Sequence, residues 1–238
     1  MKKIGKIVAA AVAFLLIIGV LFVYNAFCGN IFFAMYAKHQ IERHISENFT
    51  DNSYEISNAR YEFKTGAYIC NITDPNSADG SFWAYYSGGE VYDDYDVMVV
   101  QKQNTLMRLE EGFRDDVDPI LDKYLTDSEW GFGSITNGDK EVDTGKLSLD
   151  MTFDTKNMPV DTYIVAVMDS DEATSFHKIK QIIGDLQRMG YRIDYCEYSY
   201  NNDCYENVPV EQLMAAESSA ELVAYKMDDK EEKEAPIE

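Results

Sequence analysis

Chemistry in this chain would have to come from three histidines, four cysteines, two acidic turns and an unusual number of aromatics. His39 and His44 stand five positions apart, about 140° around a helix, so they do not converge on one metal as an i, i+4 pair would. His177 is remote from both in sequence. No G-x-S-x-G elbow, phosphate-binding glycine loop or H-E-x-x-H is present. Asp74/Asn76/Asp79 before Gly80 and Asn137/Asp139/Glu141/Asp143 before Gly145 bring alternate oxygen side chains together. Neither has the glycine at position six and the Glu at position twelve of a calcium loop, and a solvated turn is the simpler expectation. The expectation is a non-enzymatic protein with no catalytic, cofactor-binding or metal residue assigned and no cofactor.

Cys28, Cys70, Cys196 and Cys204 are too scattered for a disulfide framework, and no C-x-x-C spacing supports zinc or dithiol redox chemistry. Cys196 and Cys204 are the one pair that the Asn201-Asn202-Asp203 cluster between them could bring together. Tyr61, Phe63, Tyr68, Phe82, Tyr85 and Tyr86 would suit either a carbohydrate or peptide platform or packing beneath helices, and packing is the weightier reading. Arg108, among apolar neighbours, is expected to pair with Asp93, Asp94 or another acid.

The elements that must position these residues begin with residues 7–27, an apolar run with no ionisable group but the phenol of Tyr24. About 20 such residues cross the roughly 30 Å hydrocarbon core of a bilayer. Lys2, Lys3 and Lys6 form a basic tip at 1–6, which by the positive-inside rule stays cytoplasmic and sends the remainder outside. An uncleaved anchor is favoured over a secretory signal because the run is long and no A-x-A-like site follows. Phe27 directly before Cys28 argues against lipid attachment. Tyr24, Phe27, Phe32, Phe33 and Tyr36 suit an interfacial aromatic belt.

Beyond the anchor the periodicity predicts an amphipathic helix over 31–49, then strands over 54–63, 67–72 and 81–86 turned at Lys64-Thr65-Gly66 and 74–80. Helical spacing returns from Asp93 to Tyr124, with Pro119 expected to kink it. The sequence thus reads as α+β: a first domain over 28–127 of helix, three-stranded antiparallel sheet and helix, then a second small ββαβ(α) domain over 128–225. In the second, Trp130-Gly131-Phe132-Gly133 reads as connection, 146–153 and 162–168 as strands, 172–189 as a helix capped by the Asp169-Ser170-Asp171 turn and stopped by Gly190, 191–200 as a strand and 210–225 as a helix. The acidic tail over 226–238 is expected to be disordered.

All 42 acidic residues and all but three of the 21 basic ones lie beyond Cys28. Such a balance excludes general affinity for nucleic acid, which needs clustered Lys and Arg. It suits an exported domain kept soluble by its charge.

The strings N-A-F-C-G-N (25–30), Y-E-F-K-T-G-A-Y (61–68), D-G-S-F (79–82), Y-D-D-Y (92–95) and N-T-L-M-R-L (104–109) resemble the YfjL-like proteins of Gram-positive bacteria. The resemblance implies a bacterial single-pass exported protein with this kind of N-terminal domain and a second C-terminal one, and implies no activity. Ile31 stands where that family commonly has proline, and Glu62 where asparagine is usual. More loosely, the arrangement looks like PepSY-type domains, an analogy that carries no function. The functional expectation is an interaction or accessory module at the outer face of the cell membrane, with a membrane or cell-wall protein as partner. A ligand or calcium sensor is the alternative, and an envelope hydrolase ranks last.

Overall fold

The computed structural model describes residues 2–49, 53–136, 142–201 and 203–227. Helix α1 (Lys2–Cys28) contains the apolar run, and every side chain described in it is exposed. Among the described residues this is the one stretch long and apolar enough to cross a membrane. Two residues, Gly29 and Asn30, separate it from α2 (Ile31–Asn48), whose first turn is capped by the Asn30 carboxamide accepting from the amides of Phe32 and Phe33.

The chain divides into two compact units, Met1–Asn104 and Thr105–Glu238. In the first, five antiparallel strands follow α2: β1 (Glu55–Ile56), β2 (Arg60–Glu62), β3 (Ala67–Thr73), β4 (Ser81–Ser87) and β5 (Glu90–Asp93). The stretch expected as one strand over 54–63 is a broken edge. Its β1 half pairs with the end of β3 and its β2 half with the start. The fifth strand is an addition to the sequence reading: Gly88 and Gly89 both take positive φ (62° and 95°), the geometry of a tight hairpin, and return the chain beside β4. Ile41 and Ile45 of α2 cover Cys70, Ile72, Phe82 and Ala84 on one face of the sheet. Phe82 is enclosed by Phe49, Tyr54 and Tyr95 at ring-centroid distances of 5.3, 5.5 and 5.1 Å. The last two are edge-to-face, and such contacts each add about 0.5–1.5 kcal/mol beyond area burial.

The helix expected from Asp93 is divided. One π-helical turn (Asp96–Val100) is followed by Lys102 in the left-handed region (φ 63°), and only then by α3 (Gln103–Leu121), with Pro119 inside its last turn. The order helix, sheet, helix is as expected along the chain, but the buried face of α3, Leu106, Leu109, Phe113 and Val117, belongs to the core of the second unit. The two compact units divide after Asn104, in the first turn of α3. An amphipathic stripe states that a helix has a buried side; it does not state which core receives it.

The second unit holds a four-stranded sheet in the order β6 (Trp130–Ser134), β7 (Tyr163–Met168), β8 (Tyr195–Tyr200), β9 (Asp203–Pro209). β7 and β8 are parallel, joined by α4 (Glu172–Arg188), and both edges are antiparallel. The stretch read as a connection, Trp130-Gly131-Phe132-Gly133, is in fact β6. Gly133 is there because a Cβ would lie 2.9 Å from the Phe113 ring, so its absence lets α3 approach the strand. Its amide donates to Asp118 and its carbonyl accepts from Arg114, both of α3.

The strand expected over 146–153 is not formed. A single 3-10 turn (Thr144–Lys146), capped by Asp143, leads into irregular chain that buries Leu147. Asp171 caps α4 as expected, and Gly190 (φ 96°) ends it. The strand expected from 191 begins at Tyr195, and the expected final helix breaks at Ala216 into α5 (Val210–Ala215) and a 3-10 stretch (Ser219–Tyr225). Asn137, Asp139 and Glu141 of the second acidic turn, Asn202 of the turn before β9, and the tail from 228 onward lie outside the described residues.

Candidate functional site

A concavity in the second unit lies along the first half of α4. A groove of about 900 Å³ runs between Asp171, Glu172, Phe176 and Lys180 on the helix and Glu217 to Ser219 on the segment after α5. Its wall is built from side chains locked in place. Lys180 Nζ donates to the Ala216 carbonyl at 2.6 Å and lies 5.2 Å from the Phe176 ring centroid, and the buried Ser219 hydroxyl donates to Glu172. Asp171 is occupied as the N-cap, bonded to the Thr174 amide and hydroxyl, which hold its carboxyl below the usual range. A second depression of about 590 Å³ lies on the other flank of α4, lined by Lys123, Tyr124, Thr174 and Lys178. Ala173, His177 and Gln181 border both and form an exposed ridge between them.

Behind this ridge α4 is fixed by a buried ion pair. Lys178 Nζ lies 2.6 Å from each oxygen of Glu129, whose side chain is 1% exposed. Burial alone would raise the Glu129 pKa, but donors from Lys178 and from the Thr126 amide and hydroxyl outweigh it and leave the carboxyl below its usual range. Sequence reading missed Glu129 and Lys178, since they are 49 positions apart. The available signal was only an apolar helix face interrupted by a lysine.

In the first unit the recurring strings converge on one another. Gly29 takes φ 71°, and a Cβ there would lie 2.5 Å from Tyr61. The Asn30 amide donates to the Tyr68 hydroxyl at 2.8 Å, and that hydroxyl donates back toward the Asn30 carbonyl at 3.3 Å. Phe27 meets Phe63 at 5.7 Å between ring centroids. The 25–30 string thus packs on the 61–68 string. Asp94 of the 92–95 string accepts from the Trp83 amide at 2.6 Å, and Asp93 lies 2.7 Å from His44 Nε2. Asn104 donates to the carbonyls of Asp79 and Ser81, at 2.8 and 2.5 Å. Residues 4–95 match the family model described as YfjL-like, N-terminal domain.

Residues 4–95 of the first unit are a YfjL-like N-terminal domain. No curated protein and no solved structure matches the chain.

In the YfjL-like domain the other residues singled out from sequence fall as follows. His39 is exposed on α2, while His44 sits between Asp93 and Asn48, oriented by both. Glu62 accepts from the Thr65 amide and hydroxyl at 3.1 and 2.5 Å and stabilises its own turn. The Asp74 carboxylate accepts from the Asn76 amide, closing the first acidic turn on itself. Phe82 and Tyr68 are core, Tyr86 meets Tyr36, and Phe63 is exposed. On the far face Tyr85 stacks on Tyr92 at 5.0 Å and Arg60 lies over Trp83 at 5.1 Å. No group of three or more metal-ligating side chains occurs among the described residues.

Outside the YfjL-like domain, Arg108 donates to the Met151 carbonyl and lies over the Phe153 ring. Cys196 and Cys204 are free. Across β8 and β9, Cys196 faces Val208 while Cys204 faces Ser199. That offset of three to four rungs is roughly 10–13 Å, whereas a disulfide needs Cα atoms within about 7 Å. Burial pushes both thiols up, and the Cys70 thiol of the YfjL-like domain up to about 11.

Proposed function

We propose that the chain is a membrane-anchored, extracytoplasmic and non-enzymatic interaction module, in which the ridge of α4 and its flanking groove receive a membrane or cell-wall protein. The observation that carries this reading is the form of the ridge: Ala173, His177 and Gln181 are exposed between two depressions on a helix held from behind by the Glu129–Lys178 pair. A rigid ridge flanked by hollows suits insertion of partner side chains. The single apolar helix supports a tether, which raises the local concentration of the module toward other membrane proteins. Lys2, Lys3 and Lys6 at the start of α1 support a cytoplasmic N-terminus, and the match over 4–95 supports the resemblance to YfjL-like proteins, which implies export and no activity. The likeness to PepSY-type domains is one of arrangement and adds no ligand.

The test is crosslinking and affinity purification of tagged full-length protein from its own membranes, alongside the A173R/Q181R variant. Both positions are exposed, so the fold is expected to survive. A near-stoichiometric partner captured by the parent chain and lost in the variant is the expected result. An identical partner set in both would place the interaction elsewhere. The groove volume, within the range of small-molecule sites, favours a ligand sensor as the second reading. In that case a ligand screen would shift the melting of the parent and not of the variant.

A further inference from the structure

We propose that the YfjL-like domain is docked into the bilayer interface, with the β2–β3 hairpin tip at Phe63 and the first turns of α2 immersed among lipid headgroups. A soluble helix carries one apolar stripe and is polar elsewhere. From Ala37 onward α2 obeys this: Ala37, Ile41 and Ile45 are buried, while His39, Glu42, Arg43, Ser46 and Glu47 face out. Its first turns do not. Ile31, Phe32, Phe33, Met35 and Tyr36 are 73, 77, 59, 68 and 51% exposed, in addition to the buried stripe. The exposed surface therefore changes from apolar to polar near Tyr36, well past the end of α1.

Length decides where that boundary lies. Residues 7–27 span about 31 Å of helix, which already fills the roughly 30 Å hydrocarbon core. The apolar turns of α2 follow directly on it after Gly29 and Asn30, at the level of the headgroup zone, where aromatic side chains are favoured. This depth is the same whichever side of the membrane carries the folded units. The collar is also more than helical. Phe63 is 54% exposed at the hairpin tip, and its ring lies 5.7 Å from that of Phe27 in the last turn of α1, so the two share one depth. Exposed Lys64 beside it has the length to reach the phosphates. Gly29 and Asn30 are pinned to Tyr61 and Tyr68, which leaves no free linker in which the domain could swing. The occupant of this apolar surface is lipid, because the surface is continuous with the membrane-spanning helix.

The test uses full-length protein, one chain per nanodisc, in phosphatidylcholine and phosphatidylglycerol doped with a diazirine lipid reactive near the headgroup. Adducts are mapped by mass spectrometry after irradiation. Labelling is expected on peptides covering 31–36 and Phe63, and not on the peptide carrying Trp83. Phe63→Ser, at an exposed position, should leave the α1 adducts unchanged and reduce the hairpin adducts severalfold. Labelling that stops at Cys28 would overturn the proposal, and so would hairpin labelling indifferent to Phe63→Ser. A surface kept for a protein partner or a second copy would also remain unlabelled here, since each disc holds only one chain and lipid.

Discussion

Asn30, Asp94 and Asn104 in the first unit, and Asp118, Glu129 and Asp194 in the second, are all hydrogen-bonded within the chain, yet they close different kinds of joint. Asn30 and Asp94 fix backbone close by in sequence, the Phe32 and Phe33 amides and, across the β4–β5 hairpin, the Trp83 amide, while Asn104 in the first turn of α3 reaches back to the Asp79 and Ser81 carbonyls. The second three cross between elements, from α3 to β6, from the start of β6 to α4, and from the start of β8 to Thr162 beside β7. Turn chemistry is written in short strings of residues, and the YfjL-like match covers the unit built that way. Joints between distant elements leave no short string. The comparison predicts that the second unit loses more from a single change than the first.

The largest effect is expected at Phe113. It is fully buried between α3 and β6, against Gly133. Phe113→Ala should cost about 3–5 kcal/mol through lost burial and a residual cavity. Hydrogen exchange on the full-length protein would show which unit bears it: protection should fall across β6 to β8 and persist in β3 and β4. Loss of protection in β3 and β4 alone would return α3 to the first unit and break the comparison.

Lys178→Ala comes next. It leaves Glu129 buried without its counter-charge, and such changes cost about 3–5 kcal/mol, with the lower end expected because Lys178 keeps 18% of its side chain in solvent. The pH dependence follows the same pair. The folded Glu129 pKa is depressed, so the stabilisation is fully present above the unfolded value near 4.5 and is lost as pH falls through the lower folded value. Acid titration of the melting temperature should therefore be shallower below about pH 4.5 in Lys178→Met than in the parent.

What sequence reading reached and what escaped it follow the same division. The apolar run, the α2 stripe, the Lys64-Thr65-Gly66 turn, the Asp171 cap and the Gly190 stop are local signals, and the helices or strands they mark are present. β6 escaped because its two glycines read as linker until Phe113 is seen filling the space that Gly133 leaves. β5 escaped because Asp93 and Asp94 suit a helix N-terminus as well as they suit the His44 contact and the Trp83 amide. The α4 groove was not legible at all, since its two walls are more than thirty residues apart.

Within the first unit, Gly29→Ala should be the most costly change at the junction. The left-handed φ and the 2.5 Å approach to Tyr61 both resist a Cβ, and together they predict a loss of about 1–3 kcal/mol. Proteolysis at the α1–α2 junction of nanodisc-embedded protein would report it, with faster cleavage in the variant. Equal rates would mean that the junction is a loose tether and that the string at 25–30 serves something other than this joint.

Tyr68→Phe isolates the smallest of these effects, because it removes one hydroxyl and keeps the ring that packs against Tyr61 at 5.1 Å between centroids. The Asn30 amide would lose its acceptor at 2.8 Å, while the Asn30 carboxamide would still cap α2. The Asn30 amide is part-buried and next to an exposed helix start, so water can replace part of the bond. A loss of about 0.5–1.5 kcal/mol is expected, read as faster hydrogen exchange at Asn30 with the amides of β3 unchanged. Confinement to Asn30 would sharpen the contrast with Lys178→Ala, whose effect should reach every strand of its sheet. Spread of the Tyr68→Phe effect into β3 and β4 would instead make the hydroxyl a joint between elements, and the two units would no longer differ in kind.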